Sequence, residues 1–196
     1  MTADINLPLV GSSGIKATGT VAAGKGGKSV SRAVGANVIA SFDDLDRVAD
    51  FQQGVTQFSG DLKSNLRIGG TILGPVLVGN LSLKNGEAVL PGPGLALREL
   101  EIDIVGDAGE GIAVTGSVKS GGGTLSLEGQ VNNIGPLMTG RISLSGQKVL
   151  LLKTPEAETY VSPVIDADLH HTHLELAGEV SIDSANIQLT SQPQTA

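Results

Sequence analysis

The stretch LRELEIDIVGDAGEGIAVTGSVKSGGGTLSLE (residues 97–128) decides the fold, because apolar and polar residues alternate along it in short runs. A β-strand sends successive side chains to opposite faces, so each run forms one apolar face and one polar face. The pattern therefore predicts antiparallel strands of a half-buried sheet. The apolar positions of the clearest runs are Leu100, Ile102, Ile104, Leu125 and Leu127. The polar positions are Glu99, Glu101, Asp103, Thr124, Ser126 and Glu128.

The apolar face is almost free of aromatic side chains. The chain of 196 residues contains 3 Phe, 1 Tyr and no Trp. Sheets usually pack such a face with aromatic residues, whereas this one relies on Leu, Ile and Val. An aliphatic face of this kind is typical of a groove that binds hydrocarbon. The length favours a single β-rich domain covering residues 1–196.

The charge and composition exclude several classes of protein. Lys and Arg total 13 against 20 Asp and Glu, which gives a formal net charge of −7. Nucleic-acid binding is not expected, because phosphate contacts need clustered Lys and Arg. The absence of Cys excludes a disulfide framework. No window is apolar for about 18 residues, so no membrane span is expected, and the start MTADINLPLV does not read as a secretory signal.

Three regions are expected along the chain. Residues 1–40 read as weak strands. Residues 42–53 read as a short helix, with Ser41 as its N-cap and with Phe42 and Phe51 on an apolar stripe. This helix is expected to cover an edge or end of the sheet. Residues 58–190 read as a β-meander with breakers at its turns. Asn85-Gly86 predicts a two-residue hairpin. The other expected breakers include Gly69-Gly70, Gly74-Pro75, the segment 91–94, Gly106, the segment 121–123, Gly135-Pro136, Gly146, Pro155, Pro163 and Gly178.

Motifs for catalysis or for cofactors are weak. The segment AAGKGGKS (22–29) ends like a phosphate-binding loop, but Ala22 stands where the first Gly belongs, so a flexible basic turn is the preferred interpretation. The segment HHTH (170–173) places His171 and His173 on one face of a strand, where a metal would need a further ligand, and a solvated polar face is preferred. Asp43, Asp44 and Asp46 lack calcium-loop spacing. We expect neither an enzyme nor a bound metal or cofactor.

Four segments in order resemble the TamB family of periplasmic proteins, part of the AsmA-like, bridge-like group of lipid transporters. Their distinctive elements are IGGT, GxLxLxxGxxxLP, SGxGxLxLxG and TPExxxxxSP. At Ile182-Asp183 the chain departs from the family, which more often has Ile-Pro there. The four segments are residues 58–106 (FSGDLKSNLRIGGTILGPVLVGNLSLKNGEAVLPGPGLALRELEIDIVG), 120–131 (SGGGTLSLEGQV), 153–169 (KTPEAETYVSPVIDADL) and 176–187 (LAGEVSIDSANI).

The resemblance implies a specific fold and setting. Members of the family are anchored to the inner membrane by an N-terminal helix and cross the periplasm as a long β-sheet, curled into a U-shaped trough with an aliphatic interior (a β-taco). They act with TamA, an outer-membrane barrel, in assembling autotransporters and other outer-membrane proteins, and in moving phospholipid to the outer membrane. On this basis the chain is a fragment of the C-terminal half, without the anchor, located in the periplasm.

The expected function is a lipid conduit along the hydrophobic groove. Two alternatives stay open: a chaperone that binds unfolded strands of outer-membrane proteins, and a passive structural spacer. The sequence alone fixes neither the cargo nor the direction of transport. The residues expected to line the groove are Leu100, Ile102, Ile104, Leu125, Leu127, Ile142, Leu144, Leu174 and Leu176.

Overall fold

The protein is described by a computed structural model that covers residues 2–8, 14–21, 34–42, 54–71, 74–132, 138–171 and 173–188. Within these residues the regular structure is all β-strand, and the strands form one open, curled sheet. The expected antiparallel fold is therefore confirmed. No helix in these ranges has the length and apolar character needed to cross a bilayer.

The sheet is antiparallel throughout the described residues. Strands β1 to β9 follow one another in space as they do in sequence. The strands are β1 (Thr2–Pro8), β2 (Gly14–Val21), β3 (Val34–Phe42), β4 (Gln57–Gly70), β5 (Pro75–Leu90), β6 (Leu95–Asp107), β7 (Gly111–Ser120), β8 (Gly123–Asn132), β9 (Thr139–Gln147), β10 (Val149–Lys153), β11 (Ala157–His170) and β12 (His173–Ile187).

The order departs from a simple meander after β9. Strand β11 pairs with β9 along Val164–His170 and with β10 along Glu158–Val161, so one strand has two successive neighbours on the same side. Strand β12 pairs with the other side of β11 and, among the described strands, forms an edge of the sheet. Pro163 lies where β11 changes partner from β10 to β9. Proline has no backbone N–H, and it is tolerated at this position because neither β9 nor β10 pairs with Pro163.

The expected hairpin at Asn85-Gly86 is wrong. Strand β5 continues through both residues, and its register shifts there against β4 and β6, which defines a β-bulge. Asn85 has φ of 51°, a left-handed conformation that Asn tolerates better than most residues. A type I′ hairpin turn and some types of bulge both use a residue of positive φ, and here the paired strands on either side extend past Asn85.

Several other expectations are corrected. Gly106, Gly146, Pro163 and Gly178 lie inside strands and do not mark turns. Phe42 is the last residue of β3, so a helix does not begin there. The rest of the helix expected over 42–53, including Phe51, lies outside the described residues, as do the segment 22–29 and Gly135-Pro136.

One group of well-buried side chains lies on one face of β3 to β5. Ala40, Phe42 and Leu83 form a buried cluster, 5% to 9% exposed, on the apolar face of neighbouring strands. Phe58 and Leu62 of β4 pack against this cluster, together with Leu100 and Ile102 of β6. Phe58 thus lies in the sheet, as expected, whereas Phe42 belongs to β3 and not to the expected helix.

Candidate functional site

The apolar face of the sheet is built from rows of side chains that run across the strands. Residues paired directly in an antiparallel ladder point to the same face, so the register identifies each row. The central row consists of Phe42, Leu62, Leu83, Ile102, Gly116, Leu127, Leu144 and Ile165. The next row consists of Ala40, Ser64, Leu81, Ile104, Val114, Gly129, Ile142, Ala167 and Leu176.

The nine residues expected to line the groove all lie on this apolar face. Seven of them are half-buried. Leu174 and Leu176 of the edge strand β12 are 61% and 68% exposed. Their burial is unequal because β12 lies at the edge of the described sheet. The nine residues fall on β6 (Leu100, Ile102, Ile104), β8 (Leu125, Leu127), β9 (Ile142, Leu144) and β12 (Leu174, Leu176).

The sequence analysis did not assign some further residues to this face. Along β5 and β6 the apolar residues switch between odd and even positions, so a single alternating pattern does not describe the whole strand. In β6 the inward residues are Leu95 and Leu97 before the bulge and Leu100 and Ile102 after it. Glu99, with φ of 50°, is the bulge residue that shifts the phase. The sequence does carry a signal for this bulge. The apolar residues of β6 lie at odd positions up to Leu97 and at even positions from Leu100 onward.

Among the described residues, no second layer covers the middle of the apolar face. Ile104, Leu127 and Leu144 are nevertheless only half-exposed, because neighbouring side chains on the curled sheet shield them. The whole chain has an accessible area of 13032 Å². A compact monomer of its mass would have roughly 8,600 Å². An open sheet with a partly solvated apolar face contributes to this excess area.

Strand β10 closes one end of the apolar face. It leaves the line of β9 and crosses the ends of β8, β7 and β6, with Val149 and Leu150 buried. The Ser120 hydroxyl donates a 2.8 Å hydrogen bond to the Leu150 carbonyl oxygen. At its far end the Lys153 N–H donates a 2.8 Å hydrogen bond to the Pro93 carbonyl oxygen. The apolar face is therefore covered at this end.

Glycines at the turns allow β10 to approach this closely. A Cβ at Gly121 would lie 2.3 Å from Leu150 Cβ, and one at Gly123 would lie 2.1 Å from the Lys148 carbonyl oxygen. Gly94 has φ of 69°, and its Cβ would lie 1.7 Å from the Lys153 carbonyl oxygen. These positions read as turn breakers in the sequence, but their second role is to make room for the crossing strand.

The opposite face is polar and carries ion pairs between neighbouring strands. The Lys84 ammonium donates a 2.6 Å hydrogen bond to Asp103 Oδ2 and lies 3.6 Å from Glu101 Oε2. Arg141 contacts both carboxylate oxygens of Asp168, at 2.8 Å and 3.1 Å. The acidic residues expected on the outer face, Glu99, Glu101, Asp103 and Glu128, share this face. Glu99 also pairs with Lys119.

These contacts change the pKa values of the paired groups. The hydrogen bond from Lys84, followed by one from Ser82, lowers the pKa of Asp103. The same Lys84–Asp103 bond raises the pKa of Lys84. The Arg141 hydrogen bonds lower the pKa of Asp168. In each pair the charged form of both partners is favoured, which fixes the polar face as a charged outer surface.

We expect the Lys84–Asp103 pair to stabilise the fold near neutral pH and to lose its effect in acid. Because the folded pKa of Asp103 is lowered, its contribution is complete above its unfolded pKa of about 4 and is lost as the pH falls through the folded value. The difference in melting temperature between the parent and Asp103→Asn should therefore be largest near pH 6 and shrink toward pH 2. A difference that does not change with pH would contradict this assignment.

No metal-binding cluster of three or more His, Asp or Glu side chains occurs in the described part of the chain. His170, His171 and His173 lie at the turn between β11 and β12, and His171 has the left-handed φ of 57°. His171 is therefore a turn residue, so the strand spacing assumed for HHTH does not apply across it. The site that the structure presents is the apolar face and not this histidine segment.

Comparisons with known proteins gave no match: no family model, no curated protein and no solved structure corresponds to this chain. The candidate site therefore has to be interpreted from its own geometry. That geometry is an open sheet with an aliphatic face, a charged opposite face and one end closed by β10.

Proposed function

We propose that this chain is a section of a TamB-like periplasmic protein whose apolar face holds the hydrocarbon chains of phospholipids during their transfer between membranes. The observation that carries the proposal is the pair of largely aliphatic rows that cross β3 to β11, with no second layer over their middle among the described residues. Hydrocarbon gains about 0.8 kcal/mol for each CH₂ removed from water, and it needs no polar partner. The assignment to a TamB-like protein, with TamA as its partner, rests on the sequence resemblance.

A depression in the central row supports a flexible apolar ligand. Gly116 stands between Ile102 and Leu127, and it contributes no side chain to the face. An added Cβ there would lie 3.2 Å from the Glu101 carbonyl oxygen, which is a tight contact, and 3.7 Å from Leu127 Cβ and 3.8 Å from Ile102 Cγ1, which are ordinary contact distances. The face therefore has a shallow depression between two aliphatic residues, and a strand glycine often marks a close approach of another group.

The closed end gives the groove a direction. Strand β10 covers the row that contains Leu97 and Ser120, whereas the row that contains Ile104 and Val114 lies farther from β10 along the strands. A hydrocarbon chain bound with its terminal methyl toward β10 would leave its polar headgroup toward the strand ends that lie away from β10. This orientation avoids burial of a charged headgroup without a partner, which costs several kcal/mol.

Photo-crosslinking from the two faces tests the proposal. A photoreactive residue at Leu127, which has space beside it at Gly116, should capture phospholipid, and one at Ile102 should do the same. The matched controls are Glu128 and Glu101, the next residues on the same strands, whose side chains lie on the opposite face. We expect at least a several-fold difference in labelling between the faces.

Each other outcome favours a different function. Equal lipid labelling from both faces would contradict a lipid groove. Labelling of Ile102 and Leu127 by an unfolded outer-membrane protein in place of lipid would favour the chaperone function. If neither phospholipid nor unfolded outer-membrane protein is labelled from either face, a structural spacer would be favoured.

A further inference from the structure

An apolar lane runs along strands β7 and β8, from β10 to the far ends of these two strands. Four successive cross-strand pairs on the apolar face form this lane, and all eight residues are half-buried. None of the eight has a polar side chain, in contrast to Ser120, which lies under β10 at the closed end. The pairs are Val118 with Leu125, Gly116 with Leu127, Val114 with Gly129, and Ile112 with Val131.

Strand β10 forms a wall at one end of this lane. Val149 is 7% exposed, and Leu150 beside it is 6% exposed. The side chains of Val149 and Leu125 both occupy the space over Gly146 of β9. A Cβ added to Gly146 would lie 2.8 Å from Val149 Cγ2, 3.0 Å from Leu125 Cδ1 and 3.1 Å from the Thr124 carbonyl oxygen. The lane therefore ends against aliphatic side chains of β10.

The other end of the lane reaches the turn between β6 and β7. Ile112 and Val131 form the last pair, and the turn residues 107–110 are all exposed. The Gln130 side-chain amide donates a 2.6 Å hydrogen bond to the Glu110 carbonyl oxygen, which holds this turn beside the end of β8. A charged headgroup placed there keeps its water, whereas one placed against β10 would be buried without a partner.

We infer that β10 is an end stop that limits the length of the acyl chain that the lane can hold. The inference rests on the proposed function, in which the apolar face holds phospholipid, and it adds selectivity for chain length. The terminal methyl group contacts the wall at Val149, the acyl chain extends along β7 and β8, and the headgroup lies beyond Val131.

The length of the lane matches that of a common membrane acyl chain. Residues 125 and 131 are six positions apart on β8, so the strand spans about 20 Å between them. An extended hydrocarbon with C–C bonds of about 1.5 Å advances about 1.25 Å per carbon, so about 16 carbons fill the lane. Each further CH₂ would lie in water beyond Val131, which disfavours transfer from a bilayer about 4-fold.

Transfer from mixed vesicles tests the limit. The vesicles contain equal amounts of phosphatidylcholines with monounsaturated chains of fourteen to twenty-two carbons, and the lipid recovered with the protein is measured by mass spectrometry. Because a bilayer buries chains of every length, transfer should discriminate only against chains longer than the lane. The parent chain should recover the twenty-carbon lipid at least about tenfold less than the sixteen-carbon lipid.

Displacing β10 should move the limit to longer chains. A Cβ at Gly121 would lie 2.3 Å from Leu150 Cβ, so Gly121→Ala should push β10 off the end of the lane. The lane then gains the row of Leu97 and Ser120, about 7 Å or about five carbons. Recovery of the twenty-carbon lipid should rise to within about 3-fold of the sixteen-carbon lipid. The matched control is Gly122→Ala, which also has positive φ but meets nothing within 4 Å and should keep the parent's selectivity.

Photolabelling of the parent chain locates the two ends of the bound lipid without any substitution. Two sixteen-carbon phosphatidylcholines carry a diazirine either at the terminal carbon of the chain or near its carboxyl carbon. The terminal diazirine should label residues near Val149 and Leu125, and the other should label residues near Ile112 and Val131. Identical labelling by the two lipids would overturn the end stop, and this measurement decides the matter if Gly121→Ala does not fold.

Failure of the end stop and failure of the proposed function give different results. If the parent chain recovers all lengths in the proportions of the vesicles, the end stop is overturned while lipid binding stands. The same holds if Gly121→Ala keeps the parent's selectivity although amide exchange shows that β10 is released. Recovery of no lipid of any length would overturn the proposed function and the end stop with it.

Discussion

Leu83→Ala should lower the free energy of unfolding by about 3 kcal/mol. Leu83 is 5% exposed and lies in the cluster with Ala40 and Phe42. Truncating a buried leucine removes its transfer free energy and leaves a cavity, which together cost about 2–5 kcal/mol. Since small domains are stable by only about 5–15 kcal/mol, urea denaturation should show a clear shift of the midpoint.

The matched control is Val78→Ala on the same strand. Val78 is 38% exposed and lies on the opposite face, so its truncation should cost less than about 1 kcal/mol. Equal losses for the two variants would show that the apolar face near β5 is not the core of the sheet.

Gly94→Ala should detach β10 from the end of the sheet. Its Cβ would lie 1.7 Å from the Lys153 carbonyl oxygen, and the φ of 69° is unfavourable for alanine. Strand β10 would have to move, and the hydrogen bond between Lys153 and Pro93 would be lost. We expect a destabilisation of about 3 kcal/mol, from overpacking and backbone strain together. Amide exchange of residues 149–153 should accelerate by at least tenfold.

Two further alanine variants separate the overpacking from the backbone strain in the effect of Gly94→Ala. Gly92→Ala lies in the same turn, where an added Cβ meets nothing within 4 Å, and should change neither stability nor exchange. Gly122→Ala has φ of 94° but also meets nothing within 4 Å, so it measures the backbone cost alone. If Gly94→Ala were no worse than Gly122→Ala, the close approach of β10 to Gly94 would be disproved.

The turns show where sequence reasoning succeeded and where it failed. The segment 91–94 and the pair Gly121-Gly122 are turns, as expected, because Gly and Pro combine there between regular alternating runs. Asn85-Gly86 carries an equally strong signal and yet is a bulge. A left-handed dihedral suits both structures, and the choice depends on whether neighbouring strands extend past that point.

The sequence by itself determined the β-structure and the composition of the two faces. Two-residue alternation is a local property, so it places Ile102 and Leu127 on one face and Glu101 and Glu128 on the other whatever their partners are. The aliphatic character of the face follows from the composition alone. These local features alone carry the prediction of the nine apolar positions.

Only the tertiary structure decided how the faces are joined, covered and exposed. The bulges at Asn85 and Glu99 bring odd and even apolar positions onto one face, and β10 leaves the meander to close one end. The exposure of β12 follows from its place at the edge, not from its sequence, which alternates as the buried strands do. Pairing between distant strands sets each of these features, and local alternation specifies the face of a residue but not its partner.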